Sequence, residues 1–353
     1  MAEPWNRYDR TAARQHGRPG RELRPRSTTI DMHAHLLVEK AADFVRSHLP
    51  HDPRGGFYPE ETRLLGRKQD ADRRAHLTDL DRRLADMDAM GVDMQVVSPA
   101  PGQCYYTVSA EHGIAAARLV NDGLAAFVGR CPDRLAGLGT VPLQAGGAAA
   151  AEELRRCMGQ LGFKGVEILA HVGEQEISDP ALATFWAEAE ALGAVVMIHP
   201  AGFTEARRFG RYYFNNVIGN PLDTTMALHY LIFDGVLERH PALKVIAVHG
   251  GGFLPSYPGR IDHAWGARSD SRGGLPLPPS TYLKRIFVDT IVFTPHQLEA
   301  LVKLFGPGHV LMGTDYPYDM GEYDPLGHLA AASLGAAGTS MIAGGNAKVL
   351  FGL

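Results

Sequence analysis

"TTIDMHAHL" (residues 28–36) runs from β-branched and apolar positions into Asp31, then sets His33 and His35 two residues apart. A strand accounts for that spacing. Side chains at i and i+2 of a strand share a face, so both imidazoles aim at one point, as neutral ligands of a metal ion must. A polar strand end with two solvated histidines would read the same way in isolation. The rest of the chain discriminates.

Seven further runs resemble it: MQVVS (94–98), LAGLGTV (135–141), FKGVEIL (163–169), AVVMI (194–198), KVIAV (244–248), RIFVD (285–289) and HVLMG (309–313). They are continuous apolar runs rather than alternations, the pattern of parallel strands covered on both faces. Helical periodicity fills the gaps. "LTDLDRRLADMDAMG" puts Leu77, Leu80, Leu84, Met87 and Met90 on one stripe and stops at Gly91. "DPALATFWAEAEALG" opens with Asp179 as N-cap and Pro180 in the first turn, and also ends on glycine. "NPLDTTMALHYLIFDGVLERHP" reads as one amphipathic helix after an insertion at 203–220.

Eight strands alternating with helices, with no composition break from 28 to 353, predict a single α/β domain, a (β/α)₈ TIM barrel with insertions over its C-terminal face. The segment 37–76 is the largest insertion. A doubly wound open sheet is the alternative; it would usually carry a GxGxxG turn after its first strand, and none follows residue 36. Residues 1–27, rich in Arg, Pro and Gly and poor in aliphatics, predict a flexible N-terminal arm, or one that packs on a partner subunit through Trp5 and Tyr8.

The bulk numbers exclude several classes. With 45% hydrophobic and 21% charged residues and a net charge of −4, the chain has a sizeable core and no basic field for nucleic acid. No run is long and apolar enough to cross a membrane, and the N-terminus lacks the apolar core of a secretion signal. Three cysteines, Cys104, Cys131 and Cys157, at spacings that match neither a zinc knuckle nor a CxxC pair, predict reduced thiols and a cytoplasmic location.

In such a barrel chemistry sits where the strands end. Strand one ends in Asp31, His33 and His35; His171 follows strand four; His199 ends strand five, His249 strand six and Asp289 strand seven; strand eight runs into Asp315. One histidine at such a place is ordinarily structural. Eight histidines and aspartates at six strand ends converge on one mouth. His33, His35, His199 and Asp315 make an N₃O set with room for a water or a substrate oxygen, the open arrangement of a catalytic zinc site. Mn²⁺ or Fe²⁺ would suit the same donors. His249 is then the proton-transfer residue, and Asp31 and Asp289 orient ligand rings. His171 has no assigned place in this scheme beyond the substrate side of the mouth.

These motifs as a set, HxH at strand one, "IHP" (198–200), "HGGG" (249–252) with "GRIDH" (259–263), "GTDYP" (313–317) with "GE" (321–322), and "DMDAMGVDMQVVS" (86–98), resemble the amidohydrolase-related, metal-dependent decarboxylases, in particular the aminocarboxymuconate semialdehyde decarboxylases. The likeness covers 28–353. It implies one divalent metal per subunit, usually zinc, on His33, His35, His199 and Asp315, and His249 as acid/base. It also implies a homodimer in which Arg260 reaches a substrate carboxylate in the neighbouring subunit. The family's first carboxylate-binding arginine, however, falls on Ala71, with Arg67, Arg73 and Arg74 nearby. Where the family carries bulky aromatics after "HP", this chain has Ala201, Gly202 and Phe203, then Tyr212, Tyr213 and Phe214. Phe203 and Tyr213 are therefore expected to shape a different pocket.

The expectation is nonoxidative decarboxylation of an aromatic or unsaturated amino- or hydroxycarboxylic acid. Two alternatives stand beside it: a zinc-hydroxide hydrolase, hydratase or cyclase with the same metal site, and a barrel that has lost catalysis and binds a small acid or a partner protein.

Overall fold

The computed structural model describes residues 24–50, 58–200 and 206–353. Phe203 and positions 1–23 of the expected arm lie outside the described residues.

Eight parallel strands follow one another in chain order: β1 (Ile30–Leu36), β2 (Met94–Pro99), β3 (Leu135–Gly137, continued by Gly139–Thr140), β4 (Gly165–Leu169), β5 (Val195–His199), β6 (Lys244–Ala247), β7 (Ile286–Asp289) and β8 (Val310–Leu311). Each pairs with the next. The break in β3 at Leu138 is bridged by its N–H to Val97 O at 2.9 Å. At the seam the chain beyond β8 returns to β1: Met32 N–H bonds Met312 O at 2.9 Å, Asp315 N–H bonds His33 O at 2.8 Å, and His35 N–H bonds Tyr316 O at 2.8 Å. Strand order never reverses, so the fold is the barrel and not the doubly wound sheet.

The barrel interior explains why the histidines point where they do. Ile30 and Met32 pack inside the barrel with Val96, Leu138, Val195, Met197, Ile246, Val248 and Leu311, closed below by Leu350 and Phe351. Ala34 and Leu36 pack outward against the helices. Inward positions on β1 are thus even-numbered at its start and odd-numbered at His33 and His35. The switch is made by a register irregularity against β2 between Asp31 and Ala34. One extra residue in a strand sends every later side chain to the other face. On β5 no such device is needed: Val195, Met197 and His199 share the inward face. Truncating a fully buried interior residue such as Met197 to Ala costs about 2–5 kcal/mol.

The insertion after β1 is mostly helical: α1 (Glu39–Val45) and α2 (Glu60–Thr78), followed by α3 (Leu80–Met90). The single stripe read from Leu77 to Met90 is split, because Asp79 is extended and caps α3 by accepting from Arg82 N–H. Leu77 therefore ends α2, while Leu80, Met87 and Met90 are buried on α3 and Gly91 closes it in the left-handed region at φ 74°. The long helix expected from 220 is divided as well. It stops at Phe233 and resumes at Val236–Arg239, because Gly235 sits at φ 72°. Asp179 accepts from Ala181 N–H as an N-cap should, but the first turn, Pro180–Leu182, is 3₁₀ before the α-helix Ala183–Leu192. Among the described residues no helix is long and apolar enough to cross a membrane.

Candidate metal and active site

His33, His35, His199, His249 and Asp315 come from four different strand ends and meet at the mouth. His33, His199, His249 and Asp315 each offer a donor atom, all within 4.8 Å of one another. His35 Nε2 stands 3.0 Å from His33 Nε2 and 3.2 Å from Asp315 Oδ1. All five sequence candidates are therefore in one cluster, and the remaining question is which of the imidazoles differs from the rest.

Their far sides answer it. His33 Nδ1–H donates to Asp289 Oδ2 at 2.8 Å, His35 Nδ1–H to Pro99 O at 2.9 Å, and His199 Nδ1–H to Pro200 O at 2.8 Å. Each of these fixes the tautomer and leaves Nε2 as a lone pair aimed inward. His249 is the exception: among the described residues its Nδ1 is buried without a hydrogen-bond partner, and its Nε2 lies 3.5 Å from Asp315 Oδ2. It is braced by its backbone instead, its N–H donating to Asp289 Oδ2 at 3.0 Å.

Two lone pairs facing each other at 3.0 Å repel unless a cation lies between them. A metal about 2.1 Å from each nitrogen, with an angle of about 90° between the bonds, gives that separation. His199 Nε2 is likewise buried and unpartnered among the described residues. The donor set thus fits one divalent cation, held by neutral imidazoles and a carboxylate.

The surroundings favour the neutral form at His33 and His199, while at His35 burial is outweighed by Asp315 and Glu167, which raise the ring. Burial lowers His199 well below its ordinary value, reinforced by the neighbouring imidazoles; burial also dominates in lowering His33. Burial opposes the charge on Asp315, but hydrogen bonds from His249 and His35 outweigh it and hold the carboxyl well below its usual range. Burial acts to lower His249 as well, yet Asp315 outweighs it and raises the imidazole. Asp289 also accepts Gly250 N–H at 2.8 Å and Ile291 N–H at 3.1 Å. Gly250 is at φ 64°, and a Cβ there would meet Val292 Cγ1 at 2.4 Å, so only glycine can present that N–H. His249 and Asp315 themselves sit at φ 55° and 56°. Such backbone costs about 1–3 kcal/mol per residue and is typical of functional positions.

Behind β1 lies a second buried network. Asp31 accepts Gln95 Nε2 at 2.8 Å, Thr314 Oγ1 at 2.6 Å and the N–H of His33 at 3.0 Å. The fully buried Arg83 donates to Gln95 Oε1 at 2.6 Å and to the carbonyl of His35, with its guanidinium 4.9 Å over the Tyr316 ring. Asp289 orients the His33 ring as expected, whereas Asp31 touches no ligand ring and braces the backbone N–H of His33 instead.

The cluster opens into a cavity of about 290 Å³ lined by Arg73, Pro101, Tyr213, Asn215, Asn216, Asn220, Tyr318 and Asp319 together with His199, His249 and Asp315. Arg73, Tyr213, Asn215 and Asp319 also border an outer cavity of about 650 Å³ against α2, lined by Tyr58, Leu65 and Arg67 among others. Of the arginines near the family's missing position, Arg73 reaches the inner cavity: it is 6% exposed, 4.9 Å over the Tyr318 ring, 3.2 Å from Asp70 and 3.9 Å from Asp319. Arg74 points away and pairs with Glu39 at 2.5 Å. Tyr213 is at the mouth, its hydroxyl donating to Asp319 Oδ1 at 3.3 Å. His171 is not in this cavity's lining. It sits on a two-stranded hairpin (His171–Val172 with Gln175–Glu176), donates to Gly173 O at 2.9 Å and faces Asp223 at 3.7 Å. Arg260 is also outside; it lines a separate groove of about 370 Å³ with His229, Phe233, Phe253 and Tyr257. The three asparagines, Tyr318 and Glu167 were not singled out from sequence. The asparagines fall on and just after a π-helical turn, Asn215–Gly219, which periodicity does not announce.

Comparison with known proteins follows the same outline. The amidohydrolase family profile matches residues 30–353. A 2-amino-3-carboxymuconate-6-semialdehyde decarboxylase of Dictyostelium discoideum is 32% identical over 338 residues, spanning 93% of this chain and 92% of that protein. A gamma-resorcylate decarboxylase of Rhodococcus jostii is 29% identical over 79% of this chain and 89% of its own length. The crystal structure of 5-carboxyvanillate decarboxylase from Sphingomonas paucimobilis superposes with a TM-score of 0.82 at 27% identity, covering 92% of this chain and 99% of that one. A dihydroxybenzoic acid decarboxylase of a Polaromonas species, solved with manganese and 2-nitroresorcinol bound, gives 0.80 at 25% identity over 93% and 97% of the two chains. The match begins at the first residue of β1 and runs to the last residue of the chain, and this chain belongs to the amidohydrolase family.

Proposed function

We propose that the protein is a metal-dependent carboxy-lyase that removes CO₂, without oxidation, from an aromatic or unsaturated carboxylic acid. The observation that carries this reading is the asymmetry among the imidazoles. Three have their Nδ1–H committed and Nε2 turned inward, while His249, on the cavity wall, does not. In this reading His33, His35, His199 and Asp315 hold the ion and His249 handles protons. Zinc suits the N₃O donor set best; manganese, bound in the Polaromonas relative, takes similar donors.

The ion supplies Lewis acidity toward a substrate oxygen. The chain's own groups do the rest. Arg73, buried at the inner cavity, grips a carboxylate through paired N–H bonds. His249 delivers its proton to the ring carbon that bears the departing carboxylate. The C–C bond then breaks, its electron pair returns to the ring, and CO₂ leaves; one proton enters for each CO₂ released. Arg260, remote from its own cavity and exposed on an aromatic-lined groove, serves the site of a second copy, so the working unit is a homodimer. Three free cysteines support a cytoplasmic setting. The relatives named for resorcylate, carboxyvanillate and carboxymuconate semialdehyde support a small acid of that kind as substrate.

The test is product analysis. Protein reloaded with zinc or manganese is incubated with hydroxybenzoates, aminobenzoates and muconate semialdehydes. Stoichiometric CO₂ release is expected. Addition or loss of water without CO₂ would replace the lyase with a hydrolase or hydratase.

A further inference from the structure

Glu167 lies on β4, is fully buried, and among the described residues has no hydrogen-bond partner for either oxygen. The adjacent Ser98 hydroxyl donates to Ala34 O at 3.3 Å and lies 3.2 Å from His35 Nδ1; its proximity also eases the charge on Glu167, but burial outweighs it. Burying a carboxylate without partners is costly. The other carboxylates around the site are all served: Asp289 by four donors, Asp31 by Gln95, Thr314 and His33, Asp315 by the imidazoles. A buried acid without partners stays protonated unless a nearby positive charge balances it, and a cation at this site would supply that charge.

Its position identifies that charge. Glu167 Oε2 is 3.6 Å from His35 Nδ1, the side of the ring opposite the Nε2 that faces His33 and Asp315. It is therefore too far round the ring to join the donor set, and it lies behind the ligand. Three buried carboxylates, Asp289, Asp315 and Glu167, then surround imidazoles of which His33, His35 and His199 are neutral in their bonded tautomers. Arg83, the buried cation on β1's other side, is directed through Gln95 to Asp31.

We propose that Glu167 is a positioning residue for the metal: acting through His35, its carboxylate is the counter-charge that strengthens this imidazole as a ligand and tightens the hold on a divalent cation. The inference rests on the metal reading of the site. A carboxylate hydrogen-bonded to a metal-bound histidine raises the ring's donor strength, and its loss typically weakens metal affinity about 10–100-fold. Glu167, 3.6 Å from an Nδ1–H already given to Pro99 O, acts by its charge, at the lower end of that range.

The role makes two changes run in opposite directions. Glu167→Gln, equal in size and uncharged, lowers affinity for Zn²⁺ and Co²⁺ by about 10-fold in competition with a chromophoric chelator. The same substitution raises the thermal midpoint of the metal-free protein by about 2 °C or more, because it removes a buried unpaired charge. Glu167→Asp, which keeps the charge, stays closer to wild type in metal affinity than Glu167→Gln does. Glu167→Leu serves as a second charge-free variant should the amide not fold. Unchanged metal affinity in whichever charge-free variant folds, or a fallen midpoint of its metal-free form, overturns the proposal. Wild-type protein that binds no stoichiometric metal defeats instead the metal reading beneath it, and the two failures are told apart by that control.

Discussion

The Nε2 atoms of His33 and His35 face each other at 3.0 Å with both Nδ1 hydrogens already given away, to Asp289 and to the Pro99 carbonyl. Nothing else in the cluster can donate to both, so a shared cation is the state in which this geometry is relaxed. His33→Asn and His35→Asn are each expected to lower bound metal from one per chain to near none, measured by elemental analysis after dialysis. In the wild type, chelation should lower the thermal midpoint. Metal at a hundred times its dissociation constant stabilises the native state by about 2.7 kcal/mol. Equal midpoints with and without chelator would count against the site.

The fold was readable because its signal is periodic and repeated: eight buried apolar runs separated by amphipathic helices admit few architectures. The clustering of the candidate ligands was readable because they sit at strand ends, where chain position and spatial position coincide. The i,i+2 argument for His33 and His35 reached the right convergence through an incomplete picture. The strand irregularity between Asp31 and Ala34 is what turns those residues inward, and hydropathy alone does not reveal it. Arg73 was one of three arginines on offer, and only the packing of α2 over the mouth separates it from Arg74, which faces Glu39. His171 looked equivalent to the other strand-end residues, but the two residues beyond β4 carry it into a hairpin and away from the cavity. Glu167 lies within an apolar strand, and its lack of partners is a property of three-dimensional surroundings.

His249 differs from its neighbours in having no Nδ1 partner among the described residues, which separates proton transfer from ligation. His249→Asn should keep stoichiometric metal and lose about 10²–10⁴ in kcat, the usual contribution of a positioned acid or base. If the variant loses its metal instead, the tight grouping of His33, His199, His249 and Asp315 is the true ligand set and His35 stands outside it.

Acid sensitivity has a source outside the metal cluster. Asp86 accepts the Tyr316 hydroxyl at 2.7 Å and His76 Nδ1 at 2.7 Å. Burial acts to raise its carboxyl, but these bonds and the His76 charge outweigh it and hold the group below the ordinary value of 3.8. A depressed native value means stabilisation that is fully present above 3.8 and is lost as pH falls through the lower native value. Thermal midpoints recorded from pH 6 downward should therefore fall more steeply at the acid end for wild type than for Asp86→Asn. Asp86→Asn should also start lower at neutral pH. Parallel curves would remove Asp86 from the account.

Arg73 is held in place by Asp70, Asp319 and the Tyr318 ring while its guanidinium borders the inner cavity. A hydrogen bond to a charged partner contributes about 1.5–3 kcal/mol, equivalent to about 10–100-fold in binding. Arg73→Met should raise KM, or the dissociation constant of an inert benzoate-type ligand, by that factor while metal content is unchanged. Lysine should restore only part of the loss, since it cannot make the paired contact. A variant with unaltered ligand affinity would leave the carboxylate without its proposed anchor.

Arg260 is on the helix Pro258–Ala267, in a groove with Phe233, Phe253 and Tyr257 and apart from its own chain's cavity. Its assignment to a neighbouring subunit has a test that needs no structure of the dimer. Arg260→Ala chains and His249→Asn chains are each expected to be inactive or nearly so. In a mixed dimer the Arg260→Ala chain keeps its own His249 and receives Arg260 from the other chain, so one of the two sites is whole. The other site carries both defects. Co-expression should therefore recover activity that neither variant shows alone. If Arg260 acted within its own chain, every site in the mixture would lack one group and no activity would return. The same outcome is expected if the chains do not exchange, so a tagged pull-down that demonstrates the mixed dimer accompanies the assay. Absent activity in a proven mixed dimer removes Arg260 from the partner's site.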